Sequence, residues 1–458
     1  MQIHPSDNVE VRADGQKYAL TAIPAGAPVV KYGFPIGIAK RDIPIGEQVN
    51  PENLRSALSG MGDWTYVPTE TAPTEGKAGS FLGYLRKNGD VGIRNELWII
   101  PTVGCINDIA KTLAERSGGR ALTHPYGCSQ LGGDLQTTQR ILCGLIRHPN
   151  AGGVLVLGLG CENNRMEDMQ AMLRGSDLSR VRFLNLQDCA DELNAGMGLL
   201  DELKKQMAED RRLPVPISKL RIAVKCGGSD GYSGITANPL VGRAMERFAE
   251  FGGTVLMSEL PEVFGAEQLL LSRAKDRETF EKAAAMIRAF RKYFIDHGEG
   301  ISDNPSPGNI AGGITTLEEK SLGCVQKAGK VPLCGALDFG EVPAIDGGLY
   351  LVNGPGNDIV AVTDLAASGA HLILFTTGRG TPLSSVVPTL KISTNTPLSE
   401  KKPHWIDLDA GSLLNGADMD TLAEDLLSLC LAVAEGKKTR SEERNYYDIA
   451  IFKDGVTL

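Results

Sequence analysis

Gly153-Val154-Leu155-Val156-Leu157-Gly158-Leu159 is an unbroken apolar run, closed by Gly160-Cys161-Glu162-Asn163-Asn164. A strand wetted on one face alternates apolar and polar residues. A run with no alternation, stopped by a polar turn, marks a strand buried on both faces, the habit of parallel sheets. On either side, Glu96–Val103 and Val181–Leu186 read as further strands, and Asp108–Gly118, Leu135–His148 and Ala190–Arg212 as helices. Pro214-Val215-Pro216 punctuates the chain. Beyond it come strands at Arg221–Lys225, Thr254–Ser258, Gly348–Val352 and Leu372–Thr376, with helices at Asn238–Phe251, Asp276–His297, Thr316–Ala328, Ile359–Ser368 and Met419–Ala434. Alternating strand and helix predicts mainly parallel sheets covered on both faces.

Before Phe81 the texture differs. Val9–Val11, Lys17–Leu20, Pro28–Tyr32 and Gly37–Ala39 read as short strands separated by glycine turns, and Val67–Gly76 is rich in Pro, Thr and Glu. The expected organisation is a small all-β unit at 1–58, a linker at 59–80, an α/β domain at 81–213 and a C-terminal α/β domain at 214–458.

Composition excludes several classes. The 458 residues are 42% hydrophobic and 22% charged, with a net charge of −9 and no basic cluster. That argues against nucleic acid or an anionic membrane as partner. No run approaches the ~18 apolar residues of a membrane span, and Met1–Asp7 has no secretory pattern. Nine cysteines, an odd number, do not suit a secreted disulfide framework. The expectation is a cytoplasmic enzyme, assembled as a homo-oligomer, acting on a small molecule.

Ligands in open α/β sheets bind beyond the carboxyl ends of strands. Cys105, Cys128, Cys161 and Cys226 all fall there, beside or near glycines. Such a setting suits a soft metal or an activated thiolate, although each could also be a small buried hydrophobe. Cys143, Cys189, Cys324, Cys334 and Cys430 lie in or beside apolar segments and read as core. His124 precedes Cys128 by four residues, as a functional or a structural imidazole. Cys226–Asn238 packs glycines around Ser229, Asp230 and Thr236 and leads into a helix, whose first N–H groups suit an anion. Thr236 or Asn238 could also serve as a plain helix cap. Arg94, Arg379 and Lys391 sit in loop-like surroundings, and Arg379, in Thr-Thr-Gly-Arg-Gly-Thr, is the best carboxylate clamp.

These segments form an ordered series. Gly83-Tyr-Leu-Arg86, Gly92-Ile-Arg94-Asn95, His124-Pro-Tyr-Gly-Cys128 and Gly158-Leu-Gly-Cys161-Glu162 come first. Cys226-Gly-Gly-Ser-Asp-Gly231, Asn304-Pro-Ser-Pro-Gly-Asn309, Gly312-Gly-Ile-Thr-Thr316, Thr376-Thr-Gly-Arg-Gly380 and Thr394-Asn-Thr-Pro397 follow. Together, over residues about 80 to 415, they resemble the altronate/galactarate dehydratase family. The N-terminal unit, through Lys31-Tyr-Gly-Phe-Pro-Ile-Gly37 and Asp42-Ile-Pro-Ile-Gly-Glu47, is similar to the SAF-like domain that precedes that module.

The resemblance implies elimination of water from a sugar acid to a 2-keto-3-deoxy product, with iron or another divalent metal. It brings Glu52, His124, Cys161, Glu162 and Asp230 forward as catalytic candidates. Arg94, Asn95, Ser229, Thr236, Arg379 and Lys391 are the substrate-binding candidates, and Gln16, Glu52, Cys128 and Cys226 the metal ligands. One departure stands out. Where the family carries Gly-His-Lys and His-x-His-Asn, this chain reads Gly15-Gln16-Lys17 and Asn50-Pro51-Glu52-Asn53. Oxygen donors there would suit Mg²⁺ or Mn²⁺ over iron. Two alternatives follow: sulfite elimination from a sulfonated hydroxy acid, or a silent paralogue that only binds a sugar acid.

Overall fold

The computed structural model describes every residue except Glu75, Asp303 and Leu458. The fold is mixed α/β, with a small strand-rich N-terminal unit and a large parallel sheet. The N-terminal unit holds two three-stranded antiparallel sheets. One joins Val9–Val11, Lys17–Ala19 and Gln48–Val49; the other joins Pro28–Lys31, Phe34–Ala39 and Leu54–Arg55. The stretch expected to be a linker contains no helix or strand among its described residues before Ser80, and Glu75 lies outside them. It is nonetheless fastened along its length: the Thr69, Ala72 and Lys77 N–H groups donate to the carbonyls of Ser272, Lys330 and Glu250.

The middle of the chain forms a four-stranded parallel sheet in the order Arg120–Ala121, Glu96–Pro101, Ala151–Gly158, Val181–Asn185. Both faces are dry, as the apolar run requires. Leu155 and Leu157 pack with Ile99, Leu113 and Leu203 on one side. Val154 and Val156 pack with Trp98, Ile100 and Leu145 on the other. Pro214-Val215-Pro216 differs from its reading as a break. Leu213–Pro216 is a strand, paired antiparallel with Ser80–Gly83. Proline is tolerated there because an edge strand can leave its N–H side unpaired.

The C-terminal part is built on seven parallel strands in the order Leu333–Leu337, Gly348–Val352, Thr254–Met257, Arg221–Cys226, Leu372–Thr377, Thr389–Ser393, Leu408–Asp409. The first strand in sequence is central. The chain builds outward from it on one side, then returns to Leu372–Thr377 on the other. The gap between Cys226 and Thr377 is therefore the point where the winding reverses, the favoured ligand site of such sheets. One face packs against the N-terminal unit in a common core, with Val224 and Leu374 joining Val29 and Ile36. The opposite face shares a core with the four-stranded unit, through Ile373 and Phe375 with Trp98 and Leu142.

The N-terminal unit is locked in place by charge. Lys17 and Lys31, each almost wholly buried, reach the same carboxylate, Glu319, at 2.8 Å each. Lys17 also donates to the Gly313 carbonyl. Burial opposes ionisation of Glu319, but its two lysines prevail and hold its pKa at about 2. Burial, with Lys31 nearby, outweighs Glu319's attraction and lowers Lys17 to about 8. Backbone packing completes the contact. Gly15, at φ 76°, lays its carbonyl against Gly231 and Gly313, where any Cβ would collide with it.

Replacing Glu319→Gln strands two buried ammonium groups. Losing one partner of a buried ion pair costs about 3–5 kcal/mol. The variant should lower the melting temperature and open the 59–80 stretch to limited proteolysis; unchanged protease resistance would refute this. The pH signs are opposite for the two groups. Glu319's contribution is full above the ordinary carboxylate pKa of ~4.3 and fades as pH falls toward 2. Lys17's penalty is full below 8 and is relieved as pH rises toward ~10.4, a gain that Lys17→Met should abolish.

Candidate functional site

Two clefts open at the carboxyl edge of the seven-stranded sheet. The helix Pro307–Ala311 stands between them, and Arg379 lines both. The first, of about 900 Å³, is roofed by Val11–Gly15 of the N-terminal unit and floored by Asp230, Gly378 and Asn395. The 226–236 loop and the 376–380 loop meet here, with the N–H groups of Gly378 and Arg379 donating to the Gly228 carbonyl. Asp230 is clasped on both oxygens. The Tyr232 N–H (3.1 Å) and Ser233 hydroxyl (3.1 Å) donate to one, and the Thr394 hydroxyl (2.8 Å) and Asn395 amide (3.0 Å) to the other. Burial pushes its pKa up against the pull of those donors. Arg379 is exposed and makes no ion pair among the described residues.

The second cleft, of about 890 Å³, has Glu262, Lys320, Asn304 and Asp358 in its lining. Beside it, Cys226, Glu259, Glu262 and Cys324 bring their ligand atoms within 4.8 Å of one another, all buried. Three lysines surround the group. Lys225 pairs with Glu259 and Asp358, Lys327 with Glu259 at 2.7 Å, and Lys320 with Glu262 at 2.7 Å. Burial favours a protonated Glu262, but Lys320, Lys225 and Lys327 keep it ionised, at about 2. The Cys226 thiol is pushed well up, first by its hydrogen bond with Cys324, then by burial and the nearby carboxylates.

The donor set can be tested against a divalent metal. Three carboxylates already balance three ammonium groups while the thiols are neutral. A dication that displaces two thiol protons leaves that balance unchanged. Two sulfurs and two oxygens suit a borderline ion such as Fe²⁺ or Zn²⁺ better than Mg²⁺ or Mn²⁺. The group is therefore a fit for a divalent metal.

The candidates drawn from sequence fall in separate places. Ser229, Asp230, Thr236 and Arg379 come together at the winding reversal, and Cys226 lies at the base of the same loop. Thr236 makes no side-chain cap and donates instead to the Thr394 carbonyl at 2.7 Å. Ser229's carbonyl accepts from Asn309 at 3.0 Å. Gln16 lies at the roof of the first cleft, donating to the Ala311 carbonyl (3.5 Å) and accepting from Gln48 (3.1 Å). Glu52 is exposed and belongs to no convergent ligand group among the described residues.

Arg94 is spent on Glu442 and three backbone carbonyls, Asn95 bonds Arg86 and the Met207 carbonyl, and Lys391 donates to Ser441. These three fasten helices and the C-terminal segment. Cys128, Cys161, His124 and Glu162 sit at the edge of the four-stranded sheet. The His124 ring is buried, donates to the Pro101 carbonyl at 2.8 Å and is pushed down to about 4 by burial. Glu162 accepts from Thr102, Leu159 N–H and Gly160 N–H. Sequence reasoning missed Glu259, Glu262, Cys324 and the lysines around them. One signal was available: Lys225 interrupts the apolar Ile222-Ala-Val run, and a lysine inside a buried strand needs a carboxylate.

The chain was compared with known proteins. Residues 7–57 match the altronate/galactarate dehydratase SAF domain, 83–208 the D-galactarate dehydratase/altronate hydrolase second domain, and 217–457 the D-galactarate/altronate dehydratase C-terminal domain. Altronate dehydratase of Bacillus subtilis is 47% identical, covering 98% of this chain and 94% of the relative. Altronate dehydratase of Escherichia coli is 48% identical, covering 97% and 92%. Galactarate dehydratase (L-threo-forming) of Escherichia coli is 33% identical, covering 94% and 87%.

Ferrous or zinc ion titrated anaerobically into metal-free protein should release two protons per ion bound. Cys226→Ser or Cys324→Ser should weaken binding by at least the ~10–100-fold typical of losing even an outer support of a metal ligand. Calorimetry in buffers of different ionisation enthalpy measures both. Binding without proton release would exclude thiolate ligation.

Proposed function

The chain belongs to the D-galactarate/altronate dehydratase family, and from that membership we propose that it is a hydro-lyase converting a sugar acid to a 2-keto-3-deoxy acid. An aldonate of the altronate type is the favoured substrate. The observation that carries the reading is the first cleft. It pairs an unpaired guanidinium with a buried, pKa-raised carboxylate at the winding reversal of a parallel sheet.

The chemistry follows from those groups. Arg379 takes the substrate carboxylate in a two-point hydrogen bond and so acidifies the adjacent C–H. Asp230 accepts that proton. Its raised pKa makes it a better base than an ordinary aspartate, and its four donors hold it in one orientation. Negative charge gathers on the carboxylate oxygens opposite Arg379. Tyr232 lines the same cleft, with its pKa raised by burial and its hydroxyl on the Arg12 carbonyl at 3.0 Å. It is the group with a proton to give to the departing hydroxide. The resulting enol becomes the 2-keto acid by tautomerisation. The roof of residues 11–15 limits water. A divalent ion such as Fe²⁺ or Zn²⁺ would be held by Cys226, Glu259, Glu262 and Cys324, and would supply Lewis-acid polarisation when bound. The free cysteines suit a reducing, cytoplasmic setting.

A panel of aldonates, aldarates and sulfolactate tests the reading. Formation of a 2-keto-3-deoxy acid is expected from an aldonate. Sulfite release would favour the sulfo-lyase alternative, and ligand-raised melting without turnover would favour a binding protein. Asp230→Asn should lower kcat by about 10²–10⁴-fold. Arg379→Ala should cost about 1.5–3 kcal/mol in kcat/KM, the worth of a hydrogen bond to a charged group. Unaltered kinetics in both variants would refute the assigned roles.

A further inference from the structure

The chain has nine cysteines, all free, and only three of them are exposed: Cys105, Cys128 and Cys161. Free cysteine is among the most buried residue types, so three wetted thiols call for a reason. They also share one address. Cys105 follows the strand Glu96–Pro101, Cys128 the strand Arg120–Ala121 and Cys161 the strand Ala151–Gly158, which are neighbours in one sheet. All three thiols leave its carboxyl edge. Neighbouring strands lie about 4.8 Å apart, so the three loops start within about 10 Å of one another.

The polar residues of these loops tie loop to loop. The Gly104 N–H donates to the Tyr126 carbonyl, and the Asn164 N–H to the Gly127 carbonyl. The Asn164 amide donates to the Thr102 carbonyl at 2.9 Å. Asn163 accepts from the Ser129 N–H at 2.9 Å and from the Cys128 thiol at 3.4 Å. His124 and Glu162 pin the same turns from beneath. Cys105 and Cys161 make no hydrogen bond through sulfur among the described residues. Ser129, beside Cys128, is held at φ 55°, a region a side chain rarely adopts, and Gly127 and Gly160 flank two of the thiols at φ 105° and 119°. Their N–H groups are taken up within the loops, by Gln130, Asn163 and Glu162, which fixes the turns from inside. The scaffold is rigid and the sulfurs are left over.

Their spacing decides what they could hold. Among the described residues, the only group of three or more Cys, His, Asp or Glu ligand atoms within 4.8 Å of one another is Cys226, Glu259, Glu262 and Cys324. The three exposed thiols are thus too spread for one ion, while three strand-end loops within about 10 Å suit a polynuclear group. Soft thiolates select iron–sulfur clusters. We propose that Cys105, Cys128 and Cys161 hold a [4Fe–4S] cluster, a second metal site distinct from the one beside the second cleft. Three thiolates leave one of the four irons without a protein sulfur. Residues 454–457 pass close to these loops: Gln130 pairs with Thr457, and the Asp454 and Gly455 N–H groups donate to Asp134 at 2.8 Å each. Phe452 of the same segment lines the second cleft. An α-hydroxycarboxylate is the ligand this open iron would take, at a second binding site besides the Arg379–Asp230 cleft. That last assignment rests on the hydro-lyase reading; the cluster itself does not.

The test uses the full chain, purified anaerobically or reconstituted with ferrous iron and sulfide. About four acid-labile sulfides per chain are expected, with about four irons, or about five when the site beside the second cleft also fills, and with the broad visible absorption of such clusters. Cys105→Ser, Cys128→Ser and Cys161→Ser should each lose the cluster while keeping the circular dichroism of the fold, and Cys226→Ser should retain it. Iron without sulfide, zinc as the sole metal, or a cluster surviving all three substitutions would overturn the proposal. Tartrate, a simple α-hydroxy acid, added to dithionite-reduced protein should shift the cluster's paramagnetic resonance; an unshifted spectrum would overturn the open-iron assignment. A cluster present in protein inactive toward every sugar acid would separate failure of the hydro-lyase reading from failure of this one.

Discussion

Glu319 is the point on which the architecture turns. One carboxylate, buried under the N-terminal unit, meets ammonium groups from two different strands of that unit. Two cations against one anion in a dry interface is an unbalanced arrangement, and burial settles it by loosening the proton on Lys17. Charges buried this way are weak evidence for net stability but strong evidence for a single permitted docking geometry, because any other placement leaves them unpaired. The geometry fixed here puts residues 11–15 over the end of the central strand. Without it, the first cleft would be an open sheet edge.

The second constraint is the dryness of the parallel sheets. A strand buried on both faces cannot carry polar side chains along its length, so they collect where it ends. Both sheets obey this, and both place cysteine at that edge. Lys391 is one exception and Lys225 another. It lies within the Arg221–Cys226 strand and is fully buried, and burial alone would strip its charge. Glu259 and Asp358 more than restore it. Supporting that one lysine draws carboxylates from two neighbouring loops to the sheet edge, and the metal-capable group forms around one of them.

The legible and illegible parts divide by range. Gly153–Leu159 announces a doubly buried strand because the information is local, and the strand-end rule then points to Asp230 and Arg379 without coordinates. Leu213–Pro216 could not be read that way. Two prolines signal a break, and only its partner Ser80–Gly83, far away in sequence, makes it a strand. The same holds for the ion cluster. Cys324 ends the buried helix Leu317–Cys324 and looks like core, which it is by burial; its place in the cluster comes from Cys226 and Glu262 arriving from two other elements. Arg94 and Lys391 show the same limit. Both read as lying in loop-like surroundings; Lys391 lies instead in the strand Thr389–Ser393, and both are engaged by the 433–442 region, which folds back on them.

The absence of histidine at positions 16 and 50–52 can now be weighed. Gln16 still reaches across to the Ala311 carbonyl, and Gly15 still lies against Gly231 and Gly313. Lys17, the next residue, still carries its load on Glu319. The turn therefore has every feature needed to close the cleft, with an amide at position 16 in place of an imidazole. A wall does not need an imidazole. The donors suited to metal gather elsewhere: Cys226, Glu259, Glu262 and Cys324 at the carboxyl edge of the seven-stranded sheet, and Cys105, Cys128 and Cys161 at that of the four-stranded sheet.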